Sequence, residues 1–360
     1  MTTSKELVLI IQIPCLNEEE TLPKVIADLP KEVEGFSQVY TLVIDDGSTD
    51  QTFNVAQQLG VDYILRNPCN LGLAQSFIRG LEACLFLGAD AVVNTDGDNQ
   101  YVANDIVRLV QPLRSKTAMI VVGCRDITNH AEFSKIKKWF QKFGSGVVKR
   151  LSGYDIPDTT SGFRAMDRLA LLRMTVMSKF SYTIETLIQA KHANLNVMWI
   201  PISVNRKTRN SRLFTSLISF IYHQVKTMLH VFMQYSPTTI FNWIASISLS
   251  ISIALSMHIA YNLWFVDAIS QKFKIGSGLM VFFLLLVTFI SYIGSLLGLG
   301  LSGQNHQIED MRMRMRDISL NENIIPYHLN IIKSSKLSSW QHIDNQNVDN
   351  DHQSPSYNEI

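Results

Sequence analysis

Cysteine, net charge and phosphate-binding glycine motifs are all scarce in this 360-residue sequence. The four cysteines never form a CxxC pair, so neither a zinc site nor a disulfide framework is indicated. The formal net charge of +1 excludes a globally basic protein that binds nucleic acid. No GxGxxG fingerprint follows a predicted strand and no GxxxxGK loop occurs, which argues against a dinucleotide-dependent oxidoreductase and an NTPase.

Long hydrophobic runs are absent from the first 235 or so residues and appear only afterwards. The start of the chain, Met1–Glu6, is short and polar, so no secretory signal is predicted. Ile240–Val266 and Gly276–Leu301 are each long enough to cross a hydrocarbon core, which needs about 20 apolar residues. We therefore predict a membrane hairpin of two spans.

Basic residues flank both outer ends of the predicted hairpin. Four precede the first span and three follow the second: Lys207, Arg209, Arg212 and Lys226, then Arg312, Arg314 and Arg316. Because basic loops stay on the cytoplasmic side, this pattern places both ends of the hairpin in the cytoplasm. The predicted location is the cell membrane, with two spans and a catalytic part that faces the cytoplasm. The three later arginines are candidates for contact with anionic lipid.

Strand and helix patterns alternate through the first 210 residues. Short apolar runs at Leu7–Ile13, Val39–Ile44 and Val61–Leu65 have strand length, and periodic segments between them predict helices. This alternation predicts an α/β domain with a mainly parallel mixed sheet, covered on both faces. Ligands of such sheets bind beyond the carboxyl ends of the strands.

Acidic or polar loops follow three predicted strands: PCLNE (14–18) after Leu7–Ile13, DDGSTD (45–50) after Val39–Ile44, and TDGDNQ (95–100) after the apolar run Ala91–Val93. In the last loop, Asp96 and Asp98 lie one residue apart, and Gly97 allows a tight turn between them. Mg²⁺ or Mn²⁺ commonly uses one or two carboxylates, while waters and substrate phosphates fill its other positions. A lone DxD is also typical of solvated turns, so the repeated placement of polar loops at strand ends supports the metal-site interpretation.

The remaining boundaries come from changes in composition. Residues 1–210 form the predicted α/β domain and residues 211–236 an amphipathic helix on the membrane surface. Residues 237–303 hold the two spans, and residues 304–360 a polar, largely mobile cytoplasmic tail. Gly294 and Gly298 are typical of helix packing, either within the hairpin or between subunits, so a homo-oligomer is left open.

Seven short stretches in the first 235 residues occur together in a definite order. They are PCLNE (14–18), VIDDGSTD (43–50), NLGLAQSFIRG (70–80), DGDNQY (96–101), GCR (123–125), SGFR (161–164) and RKTRNSRL (206–213). This set resembles the family-two glycosyltransferases with the GT-A fold, of the dolichyl-phosphate mannose synthase type. The hairpin that follows is similar to that of bacterial polyisoprenyl-phosphate glycosyltransferases. The resemblance implies transfer of a sugar from a UDP- or GDP-linked donor to a polyprenyl phosphate, with Mg²⁺ or Mn²⁺ as cofactor.

The resemblance also implies roles for particular residues. The nucleotide-sugar would lie against Pro14, Leu16, Glu18, Asp45, Asp46 and Asp96. The metal on its diphosphate would be held by Asp96, Asp98 and Gln100. The acceptor phosphate would contact Arg125, Lys137, Lys138, Arg206 and Ser211. The catalytic residues would be Asp98, Arg125 and Arg164.

The residues themselves leave the acceptor open. A lipid phosphate, with a second pKa of about 6, is largely a dianion at neutral pH, so it needs no general base. Its attack from the face opposite the nucleotide would invert the anomeric centre. A hydroxyl acceptor, such as a glycolipid, would require a base, for which Asp158 and Glu185 are candidates, although a structural role fits both better. A noncatalytic membrane scaffold is the third hypothesis, and the intact DGDNQ loop argues against it.

Overall fold

The computed structural model describes the chain in several stretches. They are residues 6–126, 145–146, 148–150, 152–176, 182–205, 226, 233, 237–265, 271–322, 324, 326 and 328–333. The predicted amphipathic helix at residues 211–236 therefore lies almost entirely outside the described residues. The predicted boundary between residues 210 and 211 lies outside them as well.

Eight strands and eight helices are labelled within the described stretches. The strands are β1 (Val8–Cys15), β2 (Gln38–Asp45), β3 (Tyr63–Arg66), β4 (Ala91–Asn94), β5 (Ile120–Arg125), β6 (Arg164–Asp167), β7 (Val197–Ile202) and β8 (Ile331–Lys333). The helices are α1 (Leu22–Asp28), α2 (Thr52–Leu59), α3 (Leu73–Phe86), α4 (Asp105–Arg114), α5 (Arg168–Arg173), α6 (Tyr182–His192), α7 (Pro237–Phe265) and α8 (Gln271–Asn321).

The strands form one mixed sheet in the order β7-β5-β6-β4-β1-β2-β3-β8. β1 pairs in parallel with β2 and β4, as do β2 with β3 and β5 with β7, whereas β6 and β8 run antiparallel to their neighbours. β1 occupies a central position because its sequence VLIIQIPC is apolar on both faces, as a strand covered on both sides requires. The predicted α/β class with a mainly parallel mixed sheet is confirmed.

Helices bury alternate residues of the central strands on the two faces of the sheet. Ile10 belongs to the apolar cluster that contains Phe77 of α3. Its neighbour Leu9 points to the other face and belongs to the cluster that contains Ile106 of α4. All four side chains are completely buried, and each contributes about 1.5–3 kcal/mol to folding by leaving water.

A buried polar pair aligns β1 with β4 below the site. Gln12 is completely buried, and its Nε2 donates to Asn94 Oδ1 at 2.9 Å. Helix α3 approaches this pair at Gly80, where an added Cβ would lie 2.5 Å from Gln12 Oε1. A larger residue at position 80 would therefore push the helix away from the sheet.

Helices α7 and α8 are long and apolar enough to cross a membrane. They pack closely at two glycines of α8. A Cβ added to Gly294 would lie 2.9 Å from the ring of Phe241. A Cβ added to Gly298 would lie 3.0 Å from the side chain of Pro237. The predicted small-residue pair therefore serves contact within the hairpin, so it provides no support for a homo-oligomer.

The structure differs from the predicted tail after residue 303. Helix α8 does not end there but continues without interruption to Asn321. The chain then returns to the α/β domain, where Ile331–Lys333 forms β8 and pairs antiparallel with β3. The expectation of a largely mobile tail is therefore wrong for residues 304–322 and 328–333, because main-chain pairing and side-chain contacts hold them against the domain. Residues 334–360 lie outside the described stretches.

Candidate active site

Three acidic loops meet at one edge of the sheet. Because β4, β1 and β2 are adjacent and parallel, their carboxyl ends open on the same side. Hydrogen bonds join the loops that follow. Thr21 Oγ1 donates to Glu18 Oε2 at 2.6 Å and lies 2.8 Å from the carbonyl of Gly97, and Asp46 N donates to the carbonyl of Cys15 at 2.9 Å. The predicted donor residue Glu18 is thereby held beside the DGDNQ loop, and Asp46 is held beside the end of β1.

The carboxylates of Asp96 and Asp98 lie on the loop after β4. Gly97 packs so closely on the neighbouring loop that an added Cβ would lie 2.8 Å from Cys15 Sγ. Asp98 Oδ1 accepts a hydrogen bond from Gln100 N at 3.1 Å, which closes the turn. Desolvation, with a further contribution from the charge of Asp98, raises the pKa of Asp96 to about 7. Two carboxylates in this position favour a cation between them.

The donor set fits a hard divalent cation that is completed by a substrate. Among the described residues, no group of three or more His, Cys, Asp or Glu side chains is arranged to hold a metal. Asp96 and Asp98 therefore supply only part of a coordination shell, and phosphate oxygens and waters would supply the rest, as is usual for Mg²⁺. The raised pKa of Asp96 supports this fit, because a bound cation would remove the repulsion between the carboxylates.

Arg125 is fixed beside these carboxylates by Asp158. Its Nε lies 2.6 Å from Asp158 Oδ2 and its Nη2 lies 3.2 Å from Asp158 Oδ1, a bidentate geometry. Its Nη1 lies 3.4 Å from Gln100 Oε1, so the Gln100 amide oxygen faces a cationic side chain. Burial alone would raise the pKa of Asp158, but the charge and hydrogen bonds of Arg125 outweigh it and hold that pKa below its ordinary value. Asp158 therefore remains a carboxylate that orients Arg125.

Arg164, which the resemblance implied to be catalytic, lies inside the domain beside the loop after Asp158. Its side chain is completely buried. Its Nε donates to the carbonyl of Ser161 at 2.9 Å, its Nη2 donates to the carbonyl of Thr159 at 3.0 Å, and its Nη1 bonds to Thr186 Oγ1. The guanidinium is thus used to shape the loop after Asp158. We infer that Arg164 positions the loop rather than contacting substrate.

Two tyrosines pin that loop against Asp96, and the sequence analysis gave neither of them a role. Tyr101 Oη accepts a hydrogen bond from Gly162 N at 3.1 Å, and its ring stacks on Phe163 with centroids 4.9 Å apart. Tyr182 Oη and Asp96 Oδ1 both lie close to Gly162. A Cβ added to Gly162 would be 2.6 Å from Tyr182 Oη and 3.1 Å from Asp96 Oδ1. Tyr101 ends the DGDNQY motif, a position that could have indicated its role, whereas Tyr182 carries no local signal.

The acidic pair after β2 has a largely structural geometry. Asp46 accepts hydrogen bonds from Asn67 Nδ2, Leu71 N and Gly72 N, at 2.8, 2.9 and 3.0 Å. Its carboxylate therefore shapes the loop between β3 and α3. Asp45 is completely buried, and its Oδ1 accepts a hydrogen bond from Ser48 N at 3.0 Å.

The remaining predicted donor residues lie on β1 and the loop after it. Pro14 belongs to β1, opposite Ile44 of β2. Leu16 follows at once and is 36% exposed, which leaves its side chain available to a bound nucleotide.

Four predicted acceptor residues, Lys137, Lys138, Arg206 and Ser211, lie outside the described residues. The chain that leads to Arg206 is nevertheless joined to the DGDNQ loop. Asn205 N donates to the carbonyl of Gln100 at 2.9 Å, and Asn205 Nδ2 donates to the carbonyl of Asn99 at 3.1 Å. The described part of the chain therefore reaches the candidate site at Asn205, directly before the RKTRNSRL stretch.

An α/β sheet with a carboxylate pair and an ion-paired arginine at its strand ends is typical of enzymes that bind a phosphorylated ligand at this edge. Comparison with known proteins finds a family model that matches slightly less than half of the chain. Residues 10–174, which extend from β1 to β6, match the model of glycosyl transferase family 2. This part of the α/β domain is therefore similar to that family.

Proteins with a similar sequence include an archaeal and a bacterial enzyme. The chain is 29% identical over 212 residues to the UDP-N-acetylglucosamine--dolichyl-phosphate N-acetylglucosaminyltransferase of Methanococcus voltae, covering 53% of this chain and 82% of the relative. It is 25% identical over 213 residues to the polyprenol monophosphomannose synthase of Mycolicibacterium smegmatis, covering 55% and 77%. A solved structure, glucosyl-3-phosphoglycerate synthase from Mycobacterium tuberculosis, is similar with a TM-score of 0.48 and 18% identity, covering 64% and 79%.

Proposed function

We propose that this chain transfers a sugar, with inversion and with a divalent metal, from a UDP- or GDP-linked donor to a polyprenyl phosphate at the cytoplasmic membrane face. The observation that carries the proposal is the meeting of Asp96 and Asp98 with the ion-paired Arg125 at the carboxyl ends of the strands. The same chain carries two helices long enough to cross a membrane. The names of the two curated relatives specify a dolichyl-phosphate acceptor and a polyprenol monophosphomannose product.

Each side of the site has a distinct task in this reaction. Pro14, Leu16 and Glu18 would lie along the nucleotide, and Asp96 and Asp98 would hold Mg²⁺ or Mn²⁺ on its diphosphate. When bound, the cation neutralises charge that develops on the leaving diphosphate. Arg125, held rigid by Asp158, would add a positive charge at the same place without proton transfer.

A phosphate acceptor suits the charged groups better than a hydroxyl acceptor does. Asp158 is engaged by Arg125 through both carboxylate oxygens, and its lowered pKa makes it a weak base. Glu185, the other candidate base, is 1% exposed on α6, which leaves it no access to an acceptor in solvent. A phosphate that is already an anion needs neither residue. Lys137, Lys138, Arg206 and Ser211 remain our proposed contacts to it.

The decisive experiment offers a panel of radiolabelled UDP- and GDP-sugars to the purified full-length protein with undecaprenyl or dolichyl phosphate. We expect label in the organic phase only when metal, nucleotide-sugar and lipid phosphate are all present. Asp98→Asn should lower this transfer at least about 100-fold, because it removes one of two metal carboxylates. Asp28→Asn, at an exposed carboxylate that ends α1, is the matched control and should leave transfer unchanged.

Other results would redirect the assignment. Nucleotide-sugar hydrolysis or binding without labelled lipid would reject the phosphate acceptor and favour a glycolipid or another hydroxyl acceptor. Absence of any nucleotide-sugar binding would favour a noncatalytic membrane scaffold. Full transfer by Asp98→Asn would reject our metal site.

A further inference from the structure

A cavity adjoins the loop that follows Asp45 and Asp46, two of the predicted nucleotide-binding residues. It has a volume of about 650 Å³, within the range of about 300–1,000 Å³ typical of small-molecule sites. One wall is formed by Gly47 and Ser48, directly after Asp45 and Asp46. Ser48 also accepts a hydrogen bond from Asn17 N at 3.0 Å, which joins this wall to the PCLNE loop. One wall of the cavity is therefore formed by residues of the predicted donor loops.

The opposite wall comes from the far end of the chain. It is formed by His328 and Asn330, which belong to a segment that we call the C-terminal strap, residues 328–333. Leu329, between them, is 7% exposed and packs in the main apolar cluster. The carbonyl of Asn330 accepts a hydrogen bond from Arg66 N at 3.3 Å. Strand pairing and an apolar anchor therefore fix the position of this wall.

The cavity also has buried polar groups that need a partner. Asn67 and Arg79 both line it. Asn67 is 2% exposed, and its Oδ1 has no hydrogen-bond partner among the described residues, whereas its Nδ2 is used by Asp46 and Ser76. Arg79 Nε is likewise buried without a partner in the described part of the chain. A buried amide oxygen and a buried guanidinium N–H are costly to leave unpaired, so they favour a polar occupant.

We propose that the C-terminal strap is part of the donor site, with Asn330 a specificity-determining residue that contacts the nucleoside end of the bound nucleotide-sugar. This inference rests on the proposed function and extends it to a segment beyond residues 10–174, the range of the family match. A base and ribose present both N–H or O–H donors and carbonyl acceptors. The cavity walls offer both hydrogen-bond donors and acceptors. The amides of Asn67 and Asn330 can donate and accept, and the guanidinium groups of Arg66 and Arg79 can donate.

A consequence concerns how the membrane hairpin is linked to the donor site. The strap follows α8, and the two segments meet at Glu82 of α3. Arg316 Nη2 lies 2.7 Å from Glu82 Oε1, and His328 Nε2 lies 3.0 Å from Glu82 Oε2. The donor site is then complete only when the chain beyond the second span has docked on the α/β domain.

The test measures equilibrium binding of UDP and GDP to the purified full-length protein with Mn²⁺, in wild type, Asn330→Ala and Lys333→Ala. Asn330 is exposed, so its substitution does not threaten the fold. We expect Asn330→Ala to weaken binding of the preferred nucleotide about 2- to 10-fold, the loss typical of one hydrogen bond. Lys333, also in the strap, has its Nζ 5.6 Å from the ring centroid of Tyr63 and does not line the cavity. Lys333→Ala should bind as wild type does.

Steady-state transfer provides the second readout. Asn330→Ala should raise the KM for the nucleotide-sugar, with the KM for the lipid phosphate unchanged. Equal binding by wild type and Asn330→Ala would overturn the inference while the proposed function stands. Equal weakening by Asn330→Ala and Lys333→Ala would also overturn it, since the strap would then act through folding alone. A wild-type protein that binds neither nucleotide would remove the proposed function and this inference together.

Discussion

Single residues fix the distance between the DGDNQ loop and the SGFR loop. Gly162 lies where any side chain would meet Asp96 Oδ1 at 3.1 Å, so the two loops approach as closely as main chain allows. Tyr101 and Tyr182 hold Gly162 from both of its peptide groups: Tyr101 accepts from its N–H, and Tyr182 Oη lies 3.4 Å from its carbonyl. The position of Asp96 therefore depends on two hydroxyl groups that do not themselves bear charge.

Tyr101→Phe tests this dependence. The variant retains the ring that stacks on Phe163 but leaves the buried N–H of Gly162 without its acceptor. We expect the free energy of unfolding to fall by about 1–3 kcal/mol, with a lower kcat. Tyr40→Phe removes a hydroxyl that bonds Gln38 in an exposed place, so it should change stability by less than about 0.5 kcal/mol. Thermal unfolding of both variants in detergent measures these two losses of stability. Equal stability of the two variants would reject the role of the Tyr101 hydroxyl in holding Gly162.

The carboxyl of Asp96 predicts a pH dependence of metal binding. Its pKa in the folded, metal-free protein is about 7, above the ordinary value of about 3.9. The folded state therefore binds an extra proton between these values, so the metal-free protein loses stability as pH rises through this window. A cation must displace that proton, and metal affinity should rise as pH increases from 6 to 8.

The measurement is the increase in Tm that Mn²⁺ produces, determined at pH 6 and at pH 8. We expect the larger increase at pH 8. Asp96→Asn has no proton to displace, so the difference between the two pH values should disappear in that variant. An increase that is the same at both pH values in wild type would contradict the assignment of Asp96 to the metal.

Among the elements, helix α8 is both a candidate membrane span and a support for the α/β domain. Its last turns lie against α3 and α5, where Arg316 Nη1 donates to the carbonyls of Leu172 and Met174, at 3.2 and 2.6 Å. The same guanidinium pairs with Glu82, and both side chains are about one fifth exposed. The expectation that Arg316 contacts lipid is therefore wrong, because its donors are used by the domain.

Arg316→Ala should loosen the docking of the C-terminal strap. The variant loses charge-assisted hydrogen bonds, each contributing about 1.5–3 kcal/mol, and leaves Glu82 without its arginine partner. We expect faster hydrogen exchange at the amides of β8, because the strand is held by only three paired residues. Arg314→Ala makes the same change of charge at an exposed position and should leave exchange unchanged. The same acceleration in both variants would show that net charge, rather than docking, is responsible.

The exposed thiol of Cys69 can be used to determine on which side of the membrane the α/β domain lies. Of the four cysteines, Cys69 is exposed and the other three are buried. Burial raises the pKa of the Cys15 and Cys84 thiols well above the ordinary value, which suppresses their thiolate forms. A reagent specific for thiolates should therefore modify Cys69 selectively in the folded protein.

This selectivity makes the proposed topology measurable. A membrane-impermeant maleimide should fail to label intact cells and should label inverted membrane vesicles, because the proposed cytoplasmic domain carries Cys69. Cys69→Ser should abolish the labelling of vesicles and thereby identify the site. Labelling of intact cells that disappears in Cys69→Ser would place the domain outside and reject the proposed face.

Local sequence pattern was sufficient to predict the central strands and the loops that matter for chemistry. Short continuous apolar runs such as VLIIQIPC are typical of strands that are buried on both faces of a sheet. In a parallel sheet the carboxyl ends of neighbouring strands share one edge. PCLNE, DDGSTD and TDGDNQ were therefore expected to converge, and β1, β2 and β4 bring them together. Local pattern and chain direction suffice for this result.

Which polar side chains face the site depends on contacts between residues that are distant in the sequence. Arg125 is the last residue of β5 and Arg164 is the first residue of β6. Arg164 is nevertheless buried and donates to main-chain carbonyls, whereas Arg125 forms an ion pair with Asp158, 33 residues away in the sequence. The docking of α8 on Glu82 and the pairing of β8 with β3 join segments more than 230 residues apart. A sequence pattern reports periodicity over a few turns, whereas these contacts depend on which surfaces remain uncovered once the sheet has formed.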